Sequence, residues 1–287
     1  MHLIFLNTDL DERWLQLSQP LVRQLAFCIG SANILGRLPA ELPITHSFQF
    51  HENAVWAEHL DNYWLRLQYL DQHPDELISF LQQLKSTRLG LRFEMFIWFW
   101  LLDHQYHPYQ LLGHSIQKIA GARTLGELDF VLFNSTTHEV EHWEVALKYY
   151  LAERDFSLPF WYGLNRTDTL SRKLQHFTAK QFQFSDALEQ PIQRRYCILK
   201  GQLYLPAANA EAALPAWINP ARRMGLWGHQ IPEKSQGFYH MQRHEWICAN
   251  QSASSLSPKW WTDGLYKSAR HQHYYMYRQP SLLAKHV

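Results

Sequence analysis

Two acids, Asp129 and Glu144, flank a turn-forming stretch, Asn134-Ser135-Thr136-Thr137, inside sequence whose polarity alternates with a period of two. Alternate residues of a strand share a face, so Glu127, Asp129, Val131 and Phe133 point one way and Leu128, Phe130 and Leu132 the other. On the second segment Trp143, Val145, Leu147, Tyr149 and Leu151 make an apolar face, leaving His142, Glu144, Ala146 and Lys148 opposite it. With a symmetric loop over Asn134 to Glu139, Phe133 pairs with Val140 and the count sets Asp129 directly across from Glu144. Opposed residues have Cβ atoms ~5 Å apart, and like charges so placed are destabilising unless something positive lies between them. A divalent cation is the obvious candidate, which makes Asp129 and Glu144 candidate metal ligands. Magnesium, or manganese in its place, is held by one or two carboxylates and keeps coordination positions for phosphate oxygens. Such an ion polarises a phosphate and lowers the pKa of an attacking water. Lys148 falls near the same surface, where an ammonium could hold that water or neutralise developing charge, and its nearest acid is Glu127, diagonally across.

The same pattern fits a plainer arrangement, in which the acids and the lysine form ion pairs on a solvated strand face, worth at most ~1 kcal/mol. Glu94, on the border of an apolar helical stripe, fits partial burial beside Arg88 or Arg92 as well as a role in chemistry.

The elements that must carry these residues follow from hydrophobic period. Residues 10 to 120 read as mainly helical, with Trp64, Leu67 and Leu70, then Leu77, Phe80, Leu81 and Leu84, recurring at three and four residues. Pro74 and Asp75 mark a helix start, and Thr87 to His104 forms a core-facing helix that carries Glu94. After Gly121 come the two strands, Glu127 to Phe133 and Val140 to Leu151. Residues 165 to 183 return to a helical pattern, with Asp168 as its cap and Leu170, Leu174, Phe177 and Phe182 inward, and a strand from Tyr196 to Leu205 follows. The last eighty or so residues are rich in Trp, Tyr, His and Pro and read as short strands and loops. Three regions result: a helical region over 1–86, an α/β core over 87–206 and an aromatic-rich, β-containing segment over 207–287.

Composition narrows the function. In 287 residues, 27 Lys and Arg stand against 26 Asp and Glu, so no global positive field announces a nucleic-acid partner and any such binding needs a local patch. The mixture of Arg222, Arg223, Trp227, Lys259, Trp260, Trp261, Lys267, Arg270, Tyr274, Tyr275 and Arg278 suits such a patch, or equally a small β-rich core with a basic rim. Cys28, Cys197 and Cys248 lie too far apart in sequence for a CxxC pair, which fits a reducing cytoplasm. Met1 to Trp14 lacks the basic start of a secretory signal, and the longest apolar run, Met95 to Leu102, is far short of the ~20 residues that cross a bilayer. The pairs His138 with His142 and His271 with His273 lack the further ligands of a zinc site. A nucleophile elbow, a P-loop and a dinucleotide fingerprint are absent.

The stretch Gly126-Glu127-Leu128-Asp129-Phe130-Val131, followed by Glu144-Val145-Ala146-Leu147-Lys148, resembles the core of the PD-(D/E)XK nuclease superfamily, particularly its Holliday-junction-resolvase-like branch. The chain also resembles an uncharacterised bacterial family, domain of unknown function (DUF) 1853, through Arg88-Leu89-Gly90 with Phe93-Glu94, Thr124 to Asp129, His142-Trp143-Glu144 and Lys148 to Leu151, over roughly residues 75 to 230. The superfamily resemblance implies a restriction-endonuclease-like mixed sheet flanked by helices. It also implies Asp129 and Glu144 as metal ligands, Lys148 as catalytic lysine and Glu94 as the helix acid. One spacing departs from it: acid and lysine are two residues apart in the superfamily and four apart here. Four residues of strand span ~13 Å, which a bulge near Ala146 would shorten. The expected function is Mg²⁺-dependent phosphodiester hydrolysis on DNA or RNA, with Glu127 or Glu94 orienting the site. The alternatives are a catalytically inactive nuclease-like module that binds nucleic acid or a protein partner, and a purely structural interaction protein.

Overall fold

The computed structural model describes residues 10–121 and 123–280; the first nine residues of the segment weighed above as a secretory signal lie outside them. The chain builds an α/β fold around one large mixed sheet. Four helices come first: α1 (Pro20–Gly30), α2 (Asn53–Gln72), α3 (Asp75–Leu81) and α4 (Leu89–Leu102). Pro20 sits in the first turn of α1, where its missing N–H costs nothing. Asp75 and Glu76 place negative charge at the start of α3, where the helix dipole favours it. Among the described residues no helix is long and apolar enough to cross a membrane.

The strands β1 (Tyr109–Ala120), β2 (Arg123–Asn134) and β3 (Glu139–Ala152) run as an antiparallel meander. The short β4 (Trp161–Tyr162) pairs beside the end of β3, and α5 (Leu170–Ala179) then crosses over to β7 (Arg194–Pro206), which lies parallel to β3. Between them β5 (Asp186–Ala187) and β6 (Gln190–Pro191) form a separate small hairpin. Beyond residue 207 the chain extends the same sheet through β8 (Gly225–Gly228), β9 (Phe238–His240), β10 (Gly264–Ser268) and β11 (Tyr274–Tyr277). The order across the sheet is β1-β2-β3-β7-β8-β11-β10-β9.

The stretch before residue 120, expected as mainly helical, ends in a twelve-residue strand, because Pro108 bars a helix from continuing through it and the polar residues of β1 alternate against β2. Thr169, not Asp168, caps α5, its Oγ1 accepting the Arg172 N–H.

Both faces of the central strands are covered. Trp143, Leu147, Tyr149 and Leu151 of β3 pack with the N-terminal helices, and Ala146, Tyr150 and Ala152 pack with Leu170, Leu174 and Phe177 of α5. The face of β3 that looked polar in sequence therefore lies beneath a helix. The cation-rich aromatic stretch near the C-terminus is also largely interior: Lys267, Tyr275 and Trp261 are buried, and Arg222 and Arg223 reach the buried Glu12. Trp260, 85% exposed, is an exception.

Candidate functional site

The hairpin register is the one the sequence count requires. Phe133 pairs with Val140, and the ladder runs from Asn134↔Glu139 back to Phe130↔Trp143. The next positions along it are Asp129 and Glu144, and there the two strands part. On its other edge β3 pairs with β7 from Glu141 onward, with Glu144 beside Cys197. The Val145 N–H, which the ladder no longer satisfies, is taken by the Asp129 side chain, Oδ2 accepting at 2.8 Å. A carboxylate thus occupies the crotch of the hairpin, one residue from Glu144 on the facing strand.

Glu144 is fully buried and tied from two sides. Its Oε1 shares a hydrogen with His142 Nε2 at 2.7 Å, and its Oε2 accepts from Gln181 Nε2. Burial raises its proton affinity, bringing the pKa to about 8; the Lys173 charge and hydrogen bonds from Asp129 pull it down, and Glu127 pushes it up. Asp129 moves the same way, raised well above the usual carboxylate range by burial and then by Glu144 and Glu94, against the Val145 N–H and Lys173. His142 stays neutral, burial lowering it to about 3. A charged, solvated pair of surface acids is therefore not what this face holds: desolvation dominates at both carboxyls.

Glu94 approaches from α4. Its partner is His114 rather than an arginine, Oε1 lying 2.8 Å from His114 Nε2 and 3.4 Å from Ser115 Oγ. His114 is held flat between Trp98 and Phe130, ring centroids 4.3 and 4.7 Å away. Arg92 turns instead to Gln24. Glu127 stands exposed on β2 opposite Gln117, at the rim, close enough to act on Glu144 through its charge.

Lys148 is engaged by another acid. The β3–β7 ladder runs without a register shift from Glu141↔Arg194 to Leu151↔Tyr204, leaving no bulge at Ala146 to draw Lys148 toward Glu144. Its ammonium binds Asp168 Oδ2 at 2.6 Å, and Tyr150 OH donates to the other oxygen of Asp168 at 3.2 Å.

The cation beside the acids is Lys173 of α5. Its Nζ donates to Gln181 Oε1 at 2.9 Å, and the amide of that glutamine is the one that holds Glu144. The ammonium also sits 3.9 Å from the Phe177 ring centroid. Burial lowers its pKa, while Cys197, Glu144 and Asp129 favour its charged form and Lys148 opposes it. Lys173 also lines an open surface cavity of about 460 Å³ with Thr167, Asp168, Arg172, Gln175 and His176. Sequence carried a signal for it: Lys173 is three residues after Leu170 and four before Phe177, on the buried stripe of an amphipathic helix. Gln181, on a short 3₁₀ turn after α5, carried none.

Asp129 and Glu144 are the acids of this site that could hold a divalent cation. Burial and the neighbouring Glu144 disfavour the ionised form of Asp129, and a cation between the two carboxyls would favour the ionised form of both. Among the described residues no three acid, histidine or cysteine side chains converge into a fuller metal shell, so the remaining ligands of such an ion would be water or substrate.

Residues 23–287 match the model of a family described as a domain of unknown function, DUF1853. Neither a curated protein nor a solved structure matches the chain.

Proposed function

The chain belongs to the DUF1853 family, and from that premise we propose that it is a divalent-metal-dependent phosphodiesterase acting on DNA or RNA. The observation that carries this reading is the convergence of Asp129 and Glu144 where β2 and β3 part, two acids at facing positions of neighbouring strands, one clasped to the Val145 N–H and both raised in proton affinity by burial. The resemblance of the hairpin motif to PD-(D/E)XK nucleases supports the same chemistry.

Asp129 and Glu144 would hold Mg²⁺ or Mn²⁺, and the bound ion would supply the charge that polarises a phosphate and makes water a better nucleophile. The chain's own groups do the rest. Gln181 and His142 fix both oxygens of Glu144, so its carboxylate is pre-aimed and loses little freedom on binding. Val145 N–H fixes one oxygen of Asp129. Glu94, anchored by His114, and Glu127 at the rim can accept a proton from the attacking water. In the reaction the water oxygen forms a bond to phosphorus, the ester P–O bond breaks, and the leaving oxygen takes up a proton from solvent.

The test is cleavage of labelled single- and double-stranded DNA and RNA with Mg²⁺ or Mn²⁺. Cleavage by the wild type that disappears in folded Asp129→Asn and Glu144→Gln variants is the expected result. Binding without cleavage, unchanged in both variants, would favour a non-catalytic module instead. That second reading draws on the engagement of Lys148 by Asp168, which keeps its ammonium from the acid pair.

A further inference from the structure

We propose that Lys173 of α5, rather than Lys148 of β3, supplies the ammonium that meets the substrate phosphate beside Asp129 and Glu144, with Gln181 as the positioning residue that couples it to the acids. The inference rests on the phosphodiesterase reading and assigns the group that recognises the anionic centre of that substrate.

Three observations carry it. Lys148 is spent on Asp168 at 2.6 Å, which Tyr150 also holds, and an unbroken β-ladder keeps it four residues along the strand from Glu144. Lys173 is joined to Glu144 through one side chain, since Gln181 accepts from Nζ with its oxygen and donates to the carboxylate with its nitrogen. Lys173 also lines the cavity at the surface of α5 with Asp168, Arg172 and His176, so the residue that Gln181 joins to Glu144 also borders open space. An anion in that cavity meets Arg172, Lys173 and His176, while the Asp168 carboxylate on the same wall is paired with Lys148.

A lysine with such a place has opposite effects on two ligands. It repels a cation at Asp129 and Glu144, and it attracts the phosphate that approaches them. The experiment uses the full chain, as wild type and as Lys173→Met, Lys173→Gln and Lys148→Met variants. Mn²⁺ alone is titrated by calorimetry at alkaline pH. A fluorescent single-stranded oligonucleotide is then titrated by anisotropy with Mn²⁺ present, at low salt.

Lys173→Met is expected to tighten Mn²⁺ and to weaken the oligonucleotide, each by about tenfold, as one unit charge removed at short range would do. Lys148→Met is expected to change either affinity by less than about threefold. Lys173→Gln retains a polar group beside Gln181 and provides the same readout should the methionine variant fail to fold. Opposed shifts in the Lys173 variants with no wild-type cleavage would remove the hydrolytic reading and leave this assignment standing. Parallel weakening of both ligands in the Lys173 variants would mean a scaffold role and overturn it. So would unchanged affinities there, opposed shifts in Lys148→Met, or a wild type that takes up neither Mn²⁺ nor the oligonucleotide.

Discussion

Asp129 Oδ2 accepts the backbone N–H of Val145 at 2.8 Å, so a side chain of β2 stands where the main-chain ladder between β2 and β3 stops. The bond explains how the strands can part there without leaving a buried donor unsatisfied, and it ties a candidate ligand to the backbone of the strand carrying the other.

The first prediction follows from that clasp. Asp129→Asn keeps an acceptor oxygen, and Asp129→Ala strands the Val145 N–H. The alanine variant should unfold at a free energy about 1–3 kcal/mol below the asparagine variant, although both lack the carboxylate. Urea denaturation of the two variants without metal measures the difference.

Glu144 supplies a pH dependence with a definite sign. Its proton affinity is raised, to about 8, so the folded chain keeps a proton that the unfolded chain releases near the ordinary carboxylate value. Its contribution is therefore full below the unfolded value and is lost as pH rises through about 8. Glu144→Gln, which mimics the protonated group, should flatten the fall in urea midpoint over that window. An unchanged slope would mean that the carboxyl is not protonated in the fold.

The buried histidines act in the opposite direction. His51, His59 and His142 are each lowered to about 3, chiefly by burial, so the unfolded chain takes up protons that the folded chain refuses. Their contribution is present above the unfolded histidine value and is lost as pH falls from there toward about 3. His51 stacks on Tyr196 with centroids 3.8 Å apart, a contact that phenylalanine can keep. His51→Phe is expected to fold and to reduce the acid-side loss of stability, read as the urea midpoint followed from neutral to acid pH.

Of the twelve glycines, Gly201 leaves a Cβ the least room. Its φ is +119°, and a Cβ there would overlap the Lys148 carbonyl on the neighbouring strand. Gly201→Ala has to move β7 away from β3, at a cost of about 3 kcal/mol or more. Soluble yield and urea midpoint should both drop, and a midpoint within experimental error of wild type would show that the strands give way more easily than this.

The hairpin and its acids were legible in the chain itself. A period of two, a turn-forming loop and the count from Phe133 and Val140 are local quantities, and they set the register that brings Asp129 and Glu144 to facing positions. The inward stripe of Leu170, Leu174 and Phe177 on α5 was readable for the same reason. The strand β1 was not, because its alternating polar residues read as part of the helical stretch before it and took strand form by pairing with β2. Tertiary structure alone decided that the apparently polar face of β3 would be covered by α5, that Asp168 would take Lys148 instead of capping a helix, and that Lys173 would stand beside the acids. Register follows from counting along neighbouring segments, whereas burial and the choice of counter-charge depend on groups brought together by the crossover from β3 through α5 to β7, and no spacing within a single strand encodes that meeting.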